Sequence, residues 1–271
     1  MKYFSRIYIA LIFGILYIPI LTLILFSFNS SNSTAVFTGF SLEWYAELFN
    51  SPDTFVALRN TLILAVLSSL IATVIGTAAA EGIYRMRCKL AKTAITSVTN
   101  IPMMNPDIVT GMSMMLFFVA VAGILGISYE NMGFTAMLIS HVTFSLPYVI
   151  LSVLPRINEL GDSLSEAALD LGCTPVQAFF KVKLPNIMPG VLSGMVMAFT
   201  MSLDDFVISY FVGSSDFQTL PLLIYSMTKK KVTPDMYALS TLIIVTIFVL
   251  LVVSNFKSGK KLERERKGAK K

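Results

Sequence analysis

Asp107, Asp204 and Asp205 are the residues of this chain best placed to do chemistry, because each falls inside a long apolar stretch. A carboxylate at the centre of a membrane helix costs on the order of 2.5–3.5 kcal/mol, so such acids face protein or water and mark pathways. The chemistry on offer is attraction of cations, with the aromatic faces of Phe206, Tyr210 and Phe144 as candidate cation–π partners. The structural alternative is hydrogen bonding between helices, or pairing with Arg59. Other chemistries lack their residues. His141 is the sole histidine and Cys88 and Cys173 the only cysteines, so no metal-ligand set forms, and His141 reads as a packed or hydrogen-bonded helix residue. Fifteen methionines read as flexible core filler before they read as soft-metal ligands. No H-E-x-x-H or G-x-S-x-G occurs, and Gly259-Lys260-Lys261 lacks the upstream Gly and the Ser/Thr of a phosphate loop. No catalytic residue and no cofactor are expected on this chain.

The elements that carry the acids are long and apolar. Of the 271 residues, 55% are apolar and 14% charged, against about 25% charged in average soluble domains. Mean hydropathy is +0.74. An all-α polytopic membrane protein is the class this composition allows. Six apolar stretches reach the length needed to cross hydrocarbon: 7–28, 61–80, 94–122, 133–154, 187–212 and 236–256. The first is too long for a signal-peptide core and no A-x-A site follows it, so it reads as a retained span. With the N-terminus inside, inner segments hold 17 Lys/Arg and outer segments 4, which predicts six spans with both termini cytoplasmic. The tail 257–271 contributes +6 and the rest of the chain −1. That asymmetry points to an anchor beside anionic lipid and away from nucleic acid. Both cysteines fall on segments placed inside, so no disulfide is expected.

Pro102 and Pro106 interrupt the third stretch just before Asp107, and such breaks are tolerated where backbone is buried or lines a cavity. Counted along straight helices, Asp107 lies about 20 Å and Asp204 about 25 Å from the inner ends of their spans, in the outer half of the membrane. Adjacent helical residues diverge by about 100°, so Asp204 and Asp205 are expected to face different surroundings. Outside the membrane, Ser41–Phe49 reads as a short amphipathic helix capped by Ser41, with Trp44 and Tyr45 suited to an interface. Residues 217–235 are expected to lie along the same surface.

The fourth and fifth spans are joined by about thirty residues, 156–186, where bundle loops commonly take 2–8. Ser163–Leu171 has good helix formers, an apolar stripe at Leu164, Ala168 and Leu171, and Ser163 and Glu166 spaced as a capping box. Gly172 suits a left-handed helix end. Thr174-Pro175 starts a second helix, which Leu184-Pro185 is expected to stop. The segment therefore reads as a helix, a glycine turn and a helix: an elbow held at the membrane surface as a docking knob. The blander alternative is an amphipathic hairpin with no partner.

Glu166-Ala167-Ala168, then Gly172, then Leu184-Pro185, resembles the EAA motif of permease subunits in binding-protein-dependent ABC importers, with Val182 where the family pattern usually carries Ile. The resemblance runs from about Ala57 to Phe256. It divides the chain into 1–56, a first transmembrane helix with an outer amphipathic segment; 57–256, a type I importer permease core with its coupling loop at about 157–186; and the basic cytoplasmic tail 257–271. Pro106-Asp107-Ile108-Val109, Ser202-Leu203-Asp204-Asp205-Phe206-Val207, Leu220-Pro221-Leu222 and Ile224-Tyr225-Ser226-Met227 resemble, more closely, the permeases of spermidine/putrescine importers.

The resemblance implies a pore subunit of the bacterial inner membrane. It implies as partners an ABC ATPase dimer that supplies ATP and Mg, a second, different permease chain and an extracytoplasmic binding protein. Glu166, Ala167, Ala168, Gly172, Leu184 and Pro185 would carry ATPase coupling, and Asp107, Asp204, Asp205, Phe206 and Tyr210 the polyamine pathway. A permease for another small solute remains an alternative. A self-sufficient channel or secondary transporter is another, but it leaves the elbow without a task and shows no inverted repeat.

Overall fold

The computed structural model describes residues 2–31, 36–214, 217–230, 236–242 and 244–245. Its helices are α1 (Lys2–Phe26), α2 (Glu43–Asn50), α3 (Pro52–Arg85), α4 (Lys89–Met104), α5 (Asp107–Leu125), α6 (Gly133–Leu160), α7 (Ser163–Asp170), α8 (Pro175–Ala178), α9 (Leu184–Asp204), α10 (Val207–Val212) and α11 (Leu220–Lys230). A 3₁₀ turn, Tyr129–Met132, precedes α6, and a π-helical segment, Phe179–Lys183, joins α8 to α9. Among the described residues, four helices are long and apolar enough to cross a membrane: Pro52–Arg85, Asp107–Leu125, Gly133–Leu160 and Pro175–Asp204. A shorter apolar stretch, Leu11–Phe26, lies in α1. Most of the sixth expected span and the whole basic tail fall outside the described residues, as do 231–235.

The chain divides into two compact units, one of residues 1–55 and 223–271 and one of Val56–Leu222. In the first, the expected amphipathic helix is present but starts at Glu43. Ser41 lies two residues before it, and its hydroxyl still accepts from the Glu43 amide at 3.1 Å. Trp44 Nε1 donates to the Asn29 carbonyl at 2.6 Å, and the Tyr45 hydroxyl meets Ser27 Oγ at 2.7 Å. Both interface aromatics therefore hold the preceding turn to this helix.

The Val56–Leu222 unit is built around α3, α6 and α9. Ala72, Ala80, Ile83, Val149, Val153, Ile157, Ile187 and Ala198 form its main buried cluster. Small residues let the three helices approach closely, as membrane helix packing favours. A Cβ added at Gly190 of α9 would lie 2.9 Å from the Ser152 carbonyl and 2.6 Å from Arg156 Cγ of α6. A second cluster, Phe118, Ala136, Phe144, Ile208 and Val212, packs α5 and α10 against α6. Tyr129, whose phenol burial pushes up, stays protonated and donates to the Val212 carbonyl at 2.9 Å. Leu116, Phe117 and Ile124 of α5 remain exposed, a surface suited to lipid. The start of α11 and the residues just before it are tied to α3 by Leu220 N–H to Thr61 Oγ1 (2.8 Å) and Asn60 Nδ2 to the Gln218 carbonyl (3.1 Å).

The expected third span is two helices. Pro102 is absorbed inside α4, whereas Asn105-Pro106 ends α4 and starts α5. The reason lies in the backbone at Pro106: ψ 136 is extended, and the residue before a proline is itself held out of the α region. A straight-helix depth therefore does not apply to Asp107.

Candidate functional site

Asp107 occupies the first turn of α5, where the positive helix end favours a carboxylate. Asp204 is the last residue of α9. Both are exposed, and the charge of Asp107 reaches both Asp204 and Tyr148 of α6. Arg59 is exposed and pairs with neither acid among the described residues. Phe206 lies in the α9–α10 break and Tyr210 in α10, with ring centroids 5.5 Å apart, and Tyr210 is 45% exposed. Phe144 is instead a core residue, 8% exposed and packed against α5 and α10. The set is thus two exposed carboxylates in electrostatic range of each other, one exposed ring, Tyr210, and two half-buried ones, Tyr148 and Phe206. Two like charges raise each other's energy, and a cation bound beside them relieves the repulsion.

Asp205 does different work. Its side chain is 7% exposed. Its oxygens accept from the amides of Ile208 (3.2 Å) and Ser209 (2.9 Å) and from the Ser209 hydroxyl (3.1 Å). Asp204 and Asp205 do face different surroundings, because the helix ends between them. The buried His141 closes the network from α6. Ser68 donates to Ser202 Oγ at 3.0 Å, which leaves the Ser202 hydroxyl to donate to His141 Nδ1 at 2.7 Å. Nε2 then carries the proton and faces Ser209 Oγ (3.3 Å) and Asp205 Oδ2 (3.5 Å). This chain of hydroxyls and imidazole joins α3, α6, α9 and α10 at the break. The sequence leaves His141 packed or hydrogen-bonded and does not single out Ser68, Ser202 and Ser209. Small hydroxyl residues in apolar spans are too common to be singled out without their partners.

The elbow lies in the same unit. α7 ends as expected at Gly172, with φ +86. Gly172 N–H bonds to Leu169 O (2.9 Å) and Cys173 N–H to Ala168 O (3.0 Å), the paired bonds of a Schellman helix end. The capping box expected at Ser163 and Glu166 is not formed: Ser163 is already helical, and Asp162 precedes the helix without a side-chain cap. A capping box occurs instead at the next helix. Thr174 Oγ1 accepts from Gln177 N (3.3 Å) and Gln177 Oε1 from Thr174 N (3.1 Å), with Pro175 in the first turn.

Leu184-Pro185 does not stop that helix. The five-residue π segment Phe179–Lys183 shifts the hydrogen-bond register ahead of Pro185, so the ring and its missing N–H are absorbed and the helix continues to Asp204. Glu166 and Ala167 are exposed, while Ala168 and Ala178 are buried where α7 meets α8. Leu171 (86% exposed), Val176 and Phe180 give the elbow an apolar outer surface. Beside it, Ala78, Glu81, Arg85, Pro175, Val176, Phe179 and Phe180 line an open cavity of about 300 Å³.

Residues 72–257 match the family described as "Binding-protein-dependent transport system inner membrane component". The chain is 39% identical over 232 residues to the putrescine transport system permease protein PotI of Escherichia coli strain K12, covering 86% of this chain and 82% of that one. It is 39% identical over 249 residues to the spermidine/putrescine transport system permease protein PotC of Haemophilus influenzae, covering 92% and 94%. In fold it is similar to a chain of a bacterial ABC transporter involved in the import of the acidic polysaccharide alginate, with TM-score 0.77 at 16% identity, covering 96% and 95%.

Proposed function

The chain belongs to the inner-membrane components of binding-protein-dependent transport systems, and from that premise we propose that it is a pore subunit of an ATP-driven polyamine importer. The observation that carries the substrate class is the pair of accessible acids, Asp107 and Asp204, in electrostatic range of each other, with Tyr148 in range of Asp107 and the Phe206–Tyr210 ring pair starting two residues after Asp204. A flexible polycation relieves their repulsion and meets ring faces on the way. The names of the relatives, a putrescine and a spermidine/putrescine permease, support the same class. Attraction need only be modest, since a pathway must release its cargo.

In this reading both termini are cytoplasmic, following the Lys/Arg asymmetry. The elbow, with Glu166, Ala167 and Gly172 exposed at its tip and Ala168 packing α7 onto α8 beneath them, sits on a pair of ATPase subunits that hold ATP and Mg. A second, different permease chain completes the pore, and an external binding protein delivers the cargo. Closure of the ATPase pair moves the elbows and opens the pathway outward, and hydrolysis resets it. Asp205 positions α10 and does not touch cargo.

The test is uptake of labelled spermidine and putrescine by proteoliposomes holding this chain with its ATPase, second permease and binding protein. ATP-dependent uptake that disappears without the ATPase supports the reading. Binding-protein-stimulated ATP hydrolysis without polyamine entry sinks the substrate class and keeps the importer. Uptake that persists without the ATPase sinks the importer in favour of a channel or secondary transporter.

A further inference from the structure

Lys183 ends the π segment and is 2% exposed. Its Nζ donates to Glu81 Oε1 at 2.9 Å and lies at an ion-pair distance of 2.8 Å from Glu81 Oε2. It also lies 4.4 Å from the ring centroid of Tyr84. Glu81 Oε1 takes Arg85 Nε at 2.6 Å as well. Glu81 and Tyr84 belong to the last turns of α3, and Lys183 to the segment where the elbow becomes the membrane helix α9. Asp162 and Glu166, at the start of α7, are within electrostatic range of Tyr84.

A lysine is almost never this buried unless paired. A buried ion pair is weak evidence of stability, because apolar residues of similar size often serve as well or better. What the pair provides is fixed, directional attachment. It falls at a π segment, a rare form of helix that is frequent at functional sites. Unbraced, such a segment is where a displacement of α7 and α8 would be absorbed as local unwinding.

We propose that Lys183 and Glu81, walled by Tyr84, are positioning residues for coupling: they clamp the π segment to α3, so that displacement of the elbow moves α3 and α9 together. This rests on the reading of the elbow as the ATPase contact. The clamp acts on the transmission of movement and leaves ATP hydrolysis itself to the partner subunits.

The experiment measures polyamine taken up per ATP hydrolysed by the reconstituted complex. The variants are Lys183→Met, Lys183→Arg and the double change Glu81→Met with Lys183→Met. The double change buries no unpaired charge, so it assembles even where Lys183→Met alone is unstable. The expected result is a fall in the ratio of about tenfold for the double change, with the ATPase still co-purifying, and a ratio for Lys183→Arg well above that of Lys183→Met. A wild-type ratio in the double change, or Lys183→Arg no better than Lys183→Met, overturns the clamp. Gly172→Val separates this from the underlying reading. If Gly172→Val uncouples and the double change does not, the elbow stands and the clamp falls. If Gly172→Val leaves the ratio unchanged, the elbow reading itself fails.

Discussion

Asp204 and Asp205 are neighbours in sequence with opposite situations, and they separate in experiment. Asp205 accepts two amides at the start of α10 and one hydroxyl, so Asp205→Ala removes a helix cap worth about 1 kcal/mol and strands the buried Ser209 and His141 as well. The expected outcome is a lower thermal midpoint of the purified complex, read by intrinsic fluorescence, with uptake falling as intact complex is lost. Asp204 is exposed, and surface substitutions usually change stability by no more than about 0.5 kcal/mol. Asp204→Asn should keep the midpoint and lower spermidine uptake at low substrate concentration. Equal midpoints for the two variants would count against the assignment of Asp205 as a cap. The acids were visible in the sequence as charges among apolar residues. Which of them is accessible was not, because that depends on α9 ending at Asp204.

At the scale of elements, the elbow is held by local chemistry that can be tested one bond at a time. Gly172 has φ +86 with open space around its Cα, so Gly172→Ala meets no neighbour and suffers only the left-handed strain of about 1–2 kcal/mol. It should raise amide exchange at Gly172 and Cys173 and reduce uptake per ATP. Thr174→Ala removes one side of a formed capping box and should cost about 1 kcal/mol, seen as faster exchange at the amides of Val176, Gln177 and Ala178. Ser163→Ala, at the position where the spacing suggested a cap, should change exchange in α7 little, since no cap bond is present there. The glycine turn and the Thr174-Pro175 start were legible because each depends on residues within a few positions. The π segment was not: a Leu-Pro pair reads as a stop, and only the register shift ahead of it lets α9 continue.

At the scale of the molecule, the Val56–Leu222 unit depends on close helix approach. A side chain at Gly190 would press on the Ser152 carbonyl and on Arg156, and overpacking of this kind costs about 1–3 kcal/mol. Gly190→Val should reduce the yield of monodisperse complex on size-exclusion chromatography. Gly82→Ala is the control, because a Cβ there meets nothing within 4 Å, and its yield should match the parent. The hydroxyl–imidazole chain through Ser68, Ser202, His141 and Ser209 serves the same unit. It satisfies buried polar groups from four helices at one point, where lipid offers no alternative partner.

The amino-acid sequence determined the helical membrane class, the interruption before Asp107 and the elbow with its glycine turn, because each rests on composition, period or short-range spacing, and its motifs carried the resemblance to the family. The tertiary structure decided the rest. It split the expected third span into α4 and α5, carried the helix through Leu184-Pro185, turned Phe144 into core, and set Asp205 under α10 while leaving Asp204 exposed. It also brought Lys183 to Glu81 across 102 residues of chain. The physical reason is common to all of these. Burial and pairing are properties of what a side chain meets from other helices, and a linear pattern records only the face it presents to them.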